Sequence, residues 1–161
     1  MISVIFSTIT HGSSEDMLNA TYTAWSNAFT DLKDIPGIEW ALLFEPLPPA
    51  IYNKAKTGSN VLGLSGQQEN LMVLLLSAGW DNESDDLLVM NTTKKVLARI
   101  KSDATKLGED NDYLYLNYAA DWQKPIASYG RDNVAKLQRV SRMYDPLGIF
   151  QKHVPGGFKL F

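Results

Sequence analysis

Leu71-Met72-Val73-Leu74-Leu75-Leu76-Ser77-Ala78-Gly79-Trp80 is apolar at almost every position and is flanked by Gln67-Gln68-Glu69-Asn70 and Asp81-Asn82. A strand with one wet face alternates, so a near-continuous run of this length reads as a strand covered on both faces. Downstream, residues 84–107 place Leu88, Val89, Val96, Ile100, Ala104 and Leu107 at helical spacing, with Gly108 positioned to close the helix. Residues 112–118 alternate aromatic and aliphatic side chains and predict a further strand. Residues 131–144 predict a third helix through Val134, Leu137, Ser141 and Tyr144, stopped by Asp145-Pro146. Upstream, residues 38–45 predict a strand ended by Pro46, Pro48 and Pro49, because proline has no N–H for a ladder. Between it and Leu71, residues 52–69 carry Gly58, Gly63 and Gly66 and read as a long loop. Residues 15–33 step Leu18, Tyr22, Trp25, Phe29 and Leu32 by 4, 3, 4 and 3, one face of a helix ended by Pro36-Gly37. Ser13 or Ser14 is its predicted cap, with Glu15 and Asp16 in the first turn. Residues 2–10 are β-branched and lead into the turn His11-Gly12-Ser13-Ser14. The order βαββαβ predicts an α+β fold, the ferredoxin-like antiparallel sheet with two covering helices, followed by a C-terminal helix and extended tail. The expected division is a ferredoxin-like unit over 1–118 and a helix and tail over 119–161.

At 161 residues the chain is the size of one domain. Fifteen basic against eighteen acidic residues give a net charge of −3, which argues against a nucleic-acid partner. The absence of cysteine excludes disulfides, zinc–thiolate sites, thiol nucleophiles and a cysteinyl cofactor link. Only His11 and His153 are present, too few for a multi-histidine metal site, so no metal is expected. No apolar run approaches the ~20 residues of a membrane span. Residues 1–10 lack a signal-peptide pattern, which points to the cytoplasm, while the sequons at Asn19, Asn82 and Asn91 hint at a secreted ancestry. Ser65 in Gly63-Leu64-Ser65-Gly66 misses the nucleophile elbow by one residue, which removes hydrolase chemistry.

The C-terminal third carries three motifs. They are Tyr115-Leu116-Asn117-Tyr118, Trp122-Gln123-Lys124-Pro125 running to Tyr129-Gly130, and Tyr144-Asp145-Pro146 running to Phe150-Gln151 and Pro155-Gly156-Gly157-Phe158. With Lys33–Gly37, Pro46–Ile51 and Gly58–Leu64 upstream, they resemble the fungal branch of the berberine-bridge-enzyme-like flavin oxidases. The resemblance implies the later part of a substrate domain plus the segment that returns to the FAD-binding domain. It also implies that this chain lacks the FAD-binding fold and its covalent flavin histidine, so no cofactor is expected here. Three origins fit: a natural stand-alone protein, which is the expectation, a split gene product, or a piece of a longer oxidase.

With both faces of residues 71–80 apolar, and Ala41 and Leu43 between Glu39 and Glu45 on the second face of residues 38–45, the uncovered face needs an occupant, whether a partner chain, the tail, a missing domain or a ligand. A homodimer through that face or through the tail is expected. The residues can build an apolar site with a few polar groups. Tyr115, Asn117, Tyr113, Glu45 and His11 are the candidate catalytic residues, offering donors for a carbonyl or enolate oxygen, a carboxylate base and a histidine proton shuttle. Trp40, Trp80, Tyr118, Trp122, Glu39 and Ser77 are the candidates for substrate binding, with core packing as the alternative for the tryptophans. The expected function is a flavin-free biosynthetic enzyme of secondary metabolism that cyclises or isomerises an apolar, polyketide- or terpenoid-like molecule. The alternatives are a part of an FAD-dependent oxidoreductase and a non-catalytic binding module.

Overall fold

A computed structural model describes residues 3–54 and 59–161; Met1, Ile2 and Gly58 of the readings above lie outside them. The chain forms β1 (Ser3–Gly12), α1 (Glu15–Ala28), β2 (Glu39–Leu47), a short α2 (Pro49–Tyr52), β3 (Leu71–Trp80), α3 (Asp86–Leu107), β4 (Asp110–Asn111), α4 (Arg131–Tyr144) and a short α5 (Ile149–Lys152). The sheet order is β2-β3-β1-β4 and every pairing is antiparallel. That is the α+β arrangement expected of the element order, with β3 and β1 in the middle.

One face of the sheet carries Ile9, Met72, Leu74 and Leu76 against Met17 of α1 and Val96, Ile100 and Ala104 of α3. Ser14 caps α1, its Oγ accepting from Met17 N at 3.2 Å, which satisfies one of the orphan donors of the first turn. Gly108 ends α3 at φ 70°, a left-handed geometry that suits glycine.

Four local expectations need correction. The stripe of α1 is rotated: Met17 and Thr21 are buried while Tyr22 and Phe29 are exposed. Thr21 is drawn inward by its hydrogen bond to His11 Nε2 at 3.0 Å, and Tyr22 tilts onto Trp25 at the border, 5.6 Å between ring centroids. The α-helix also ends at Ala28, with a 3-10 turn over Phe29–Asp31. In α3 the buried stripe is Val89, Thr92, Thr93, Val96, Leu97, Ile100 and Ala104, and Leu88 and Leu107 are exposed. Proline 46 does not end β2: it pairs with Met72, tolerated because β2 is an edge strand.

The largest departure is the fourth strand. Only Asp110 and Asn111 pair with β1, and residues 112–118 leave the sheet. Their backbone donors go to side chains instead: Tyr113 N to Asn111 Oδ1 at 3.0 Å and Leu114 N to Ser128 Oγ at 3.0 Å. The vacated edge of β1 is taken by a side chain. Gln123 Oε1 accepts from Thr8 N (3.1 Å) and its Nε2 donates to Thr8 O (2.7 Å), so one amide supplies the two bonds a neighbouring strand would make.

The second face of the sheet is covered at one end only. Tyr52, Leu62, Leu64, Tyr113 and Tyr129 pack on Leu71 and Val73. Toward the other end Val4, Phe6, Ala41 and Leu43 remain exposed.

Candidate functional site

Where that cover stops, four of the candidate residues meet. Glu45 stands on β2 opposite Val73, on the partly covered face. Tyr118, from a 3-10 turn at Leu116–Tyr118, donates its hydroxyl proton to Glu45 Oε1 at 2.9 Å. Tyr115 meets Tyr118 edge-on, 4.8 Å between centroids and 83° between planes. Asn117 Nδ2 donates to the Tyr115 hydroxyl oxygen at 2.9 Å. The turn that takes 112–118 out of the sheet is therefore what brings its tyrosines over β2.

The two phenols differ in electrostatics. The hydrogen bond to the Glu45 carboxylate favours the neutral phenol, so Tyr118 ionises above its ordinary value. The Tyr115 oxygen already accepts from Asn117, which leaves its own proton available to an incoming oxygen. Beside the pair, Leu43, Ala41 and Phe6 form an exposed apolar floor. Ser77 lies within that floor, between Ala41 and Phe6, and Glu39 stands farther along the face, opposite Gly79. From Glu45 to Glu39 is about 20 Å of strand, so the two carboxylates do not act on one atom.

The other candidates lie elsewhere. Tyr113 is buried beneath the cluster, stacked with Tyr129 at 6.1 Å, and burial pushes its hydroxyl up to about 12. His11 is on the opposite face, packed toward α1. Its Nδ1 faces the Gly12 carbonyl, which can only accept, so Nδ1 carries the proton and Nε2 accepts from Thr21 Oγ1 at 3.0 Å. Burial holds His11 below the usual histidine range against the pull of the Gly12 bond and of Glu109. Trp40 and Trp80 face the helices, their Nε1 groups bonded to Trp25 O (3.1 Å) and Asp86 Oδ1 (2.7 Å). Trp122 stands half-buried at the outer edge of β1 with Lys94 Nζ 4.6 Å from its ring centroid. Gln123 was visible only as part of a motif; its two-sided amide role depends on a strand edge that no local pattern reveals.

Acidic side chains stand at the starts of the longer helices, which disfavours the diphosphate of a flavin dinucleotide there. Glu109 Oε2 accepts from Ser14 N at 3.1 Å at the start of α1, and Asp86 and Asp132 sit in the first turns of α3 and α4. Among the described residues no group of three or more acidic or histidine side chains converges as a metal site, and no helix is long and apolar enough to cross a membrane.

The chain is 38% identical over 154 residues to a protein named oligopeptidase from Diaporthe leptostromiformis, covering 94% of this chain and 13% of that one. It is 37% identical over 130 residues to an FAD-dependent monooxygenase of Aspergillus calidoustus, 79% of this chain and 25% of the relative. It is 31% identical over 130 residues to the bifunctional solanapyrone synthase of Alternaria solani, 80% of this chain and 25% of the relative. The chain thus spans a quarter or less of the length of these relatives. No family model and no solved structure matches it.

Proposed function

We propose that this chain supplies the substrate-binding sheet of a fungal flavin-linked biosynthetic protein, of the berberine-bridge-enzyme-like type, and moves a proton on an apolar substrate. The Tyr118–Glu45 hydrogen bond at the border of an exposed apolar floor carries the reading. Relatives named FAD-dependent monooxygenases support the flavin-linked half of it. On this reading the flavin is held by polypeptide other than the described residues, because acidic side chains stand at the starts of α1, α3 and α4 and disfavour an anionic diphosphate there.

What this chain's own groups can do is acid–base work. A substrate proton passes to the Tyr118 oxygen as the Tyr118 proton passes to Glu45, so the tyrosine stays neutral and the carboxylate becomes the acid. Tyr115 donates to the substrate oxygen on which negative charge grows, its geometry held by Asn117. Return of the proton from Glu45 through Tyr118 to another carbon of the enolate completes an isomerisation. Attack of the enolate carbon on a second carbonyl of the same polyketide- or terpenoid-like chain, whose oxygen takes that proton, completes a cyclisation. A binding module is the second reading, favoured by the apolar residues that α4 and α5 leave exposed, Met143, Tyr144 and Phe150 among them.

The test is flavin-free. A small β-keto thioester incubated with the protein in D2O should exchange its activated protons faster than in buffer. Glu45→Gln and Tyr118→Phe should each slow that exchange by more than about tenfold. Exchange at the buffer rate, or unchanged in both variants, rejects the assignment. The dialysed protein should be colourless at about 450 nm, where flavins absorb, because the helix starts among the described residues carry acidic side chains.

A further inference from the structure

Trp122 belongs to a different part of the molecule from the tyrosine cluster. It sits on the helix side of the β1 edge, where residues 112–118 have left the sheet. A cleft of about 460 Å³ opens there between β1 and α3, floored by Ile9, Leu97, Ala98, Leu114 and Trp122. That volume lies within the range of small-molecule sites.

Lys94 and Lys101 are two turns apart on α3 and mark the two ends of the cleft. They are not equivalent. Lys101 is held by Asp110 (3.2 Å) and Asp112 (3.1 Å), so its end carries one excess negative charge. Lys94 has no ion pair among the described residues, and its ammonium rests over the Trp122 ring. The amides of the lining are engaged, Gln123 with Thr8 and Ala120, Asn111 with Gln67 and Tyr113. Lys94 is therefore the one cationic donor of the lining without a carboxylate partner among the described residues.

We propose that this cleft binds an amphiphilic carboxylate, its apolar body along Leu97, Ile9 and Leu114 and its headgroup on the Lys94 ammonium. The acidic far end repels the headgroup and sets the orientation. The ring beneath Lys94 holds the ammonium in place, and an aromatic face tolerates either an alkyl chain or a ring system against it.

The experiment is titration calorimetry on the full chain with decanoate and with decyltrimethylammonium, both below their micellar concentrations. Saturable decanoate binding is expected, with the cation at least about tenfold weaker. Lys94→Gln, an exposed position, should weaken decanoate by about fivefold or more, and Lys94→Arg should restore it. Tyr118→Phe and Glu45→Gln should leave decanoate binding unchanged, which separates this site from the proton-transfer cluster. No saturable binding, equal binding of the cation, indifference to Lys94→Gln, or loss in the Tyr118 and Glu45 variants overturns the proposal.

Discussion

Tyr115 and Tyr118 lie three residues apart with the same phenol, yet their partners use the hydroxyl differently. A carboxylate takes the Tyr118 proton, and an amide leaves the Tyr115 proton free. The spacing of Tyr115-Leu116-Asn117-Tyr118 announces aromatic residues, not these partners, because Glu45 is remote in the chain. His11 shows the converse. Its type suggests proton transfer, but both ring nitrogens are used within a buried pair with Thr21 and Gly12. Burial lowers its pKa, so the unfolded chain binds a proton more readily than the folded one below about pH 6.5. The stability contributed by the neutral ring is complete above that pH and is lost as pH falls through the depressed folded value. Urea midpoints measured from pH 8 to 5 should fall on acidification, and His11→Gln should flatten the fall. Equal slopes in the two proteins would remove His11 as the cause.

At the scale of elements, the β1 edge decides most. A two-residue β4 leaves the edge of β1 away from β3 without a neighbouring strand over most of its length, and Gln123 replaces the missing bonds at Thr8. Replacing Gln123 by Leu leaves the Thr8 N–H and C=O without these partners in a part-buried place, a cost of about 1–3 kcal/mol. Gln123→Glu keeps an acceptor for Thr8 N but loses the donor to Thr8 O, so it should also destabilise. Urea unfolding of both variants is the measurement, and stabilities within about 0.5 kcal/mol of wild type in both would show that the amide is no substitute strand. The same departure of 112–118 from the edge opens the Trp122 cleft and carries Tyr115 and Tyr118 over β2. Helix stripes were legible as periodicity, but their phase was not. Size favoured Tyr22 and Phe29 over Thr21, whereas the hydrogen bond to His11 places Thr21 inside.

Across the whole molecule, charge and apolar exposure are unevenly spread. Residues 131–161 hold six of the fifteen basic residues and two of the eighteen acidic ones, so the remainder is strongly acidic. The same segment exposes Met143, Tyr144, Leu147, Ile149 and Phe150. A basic, apolar segment and an acidic body on one chain are complementary, and association of copies through α4 and α5 is expected. Light scattering at micromolar concentration should give a mass above that of the 18.0 kDa chain, reduced by high salt and by Met143→Asp with Phe150→Asp. A mass of one chain throughout the range would end that expectation.

The sequence by itself determined the order of β1, α1, β2, β3, α3 and α4, the extents of β3 and α4 and the α+β class, because hydrophobic periodicity, proline and glycine act locally. It also marked Glu45, Tyr115, Asn117 and Tyr118 as polar groups on otherwise apolar strands and turns. Only the tertiary structure decided that these four meet, that His11, Trp40 and Trp80 face the helices, and that Trp122 lines a separate cleft. The reason is physical. Which face a side chain takes is set by strand register, and whether a segment joins a sheet is set by competition for its backbone N–H groups. At residues 112–118 the side chains of Asn111 and Ser128 win that competition, and no pattern within the segment itself records it.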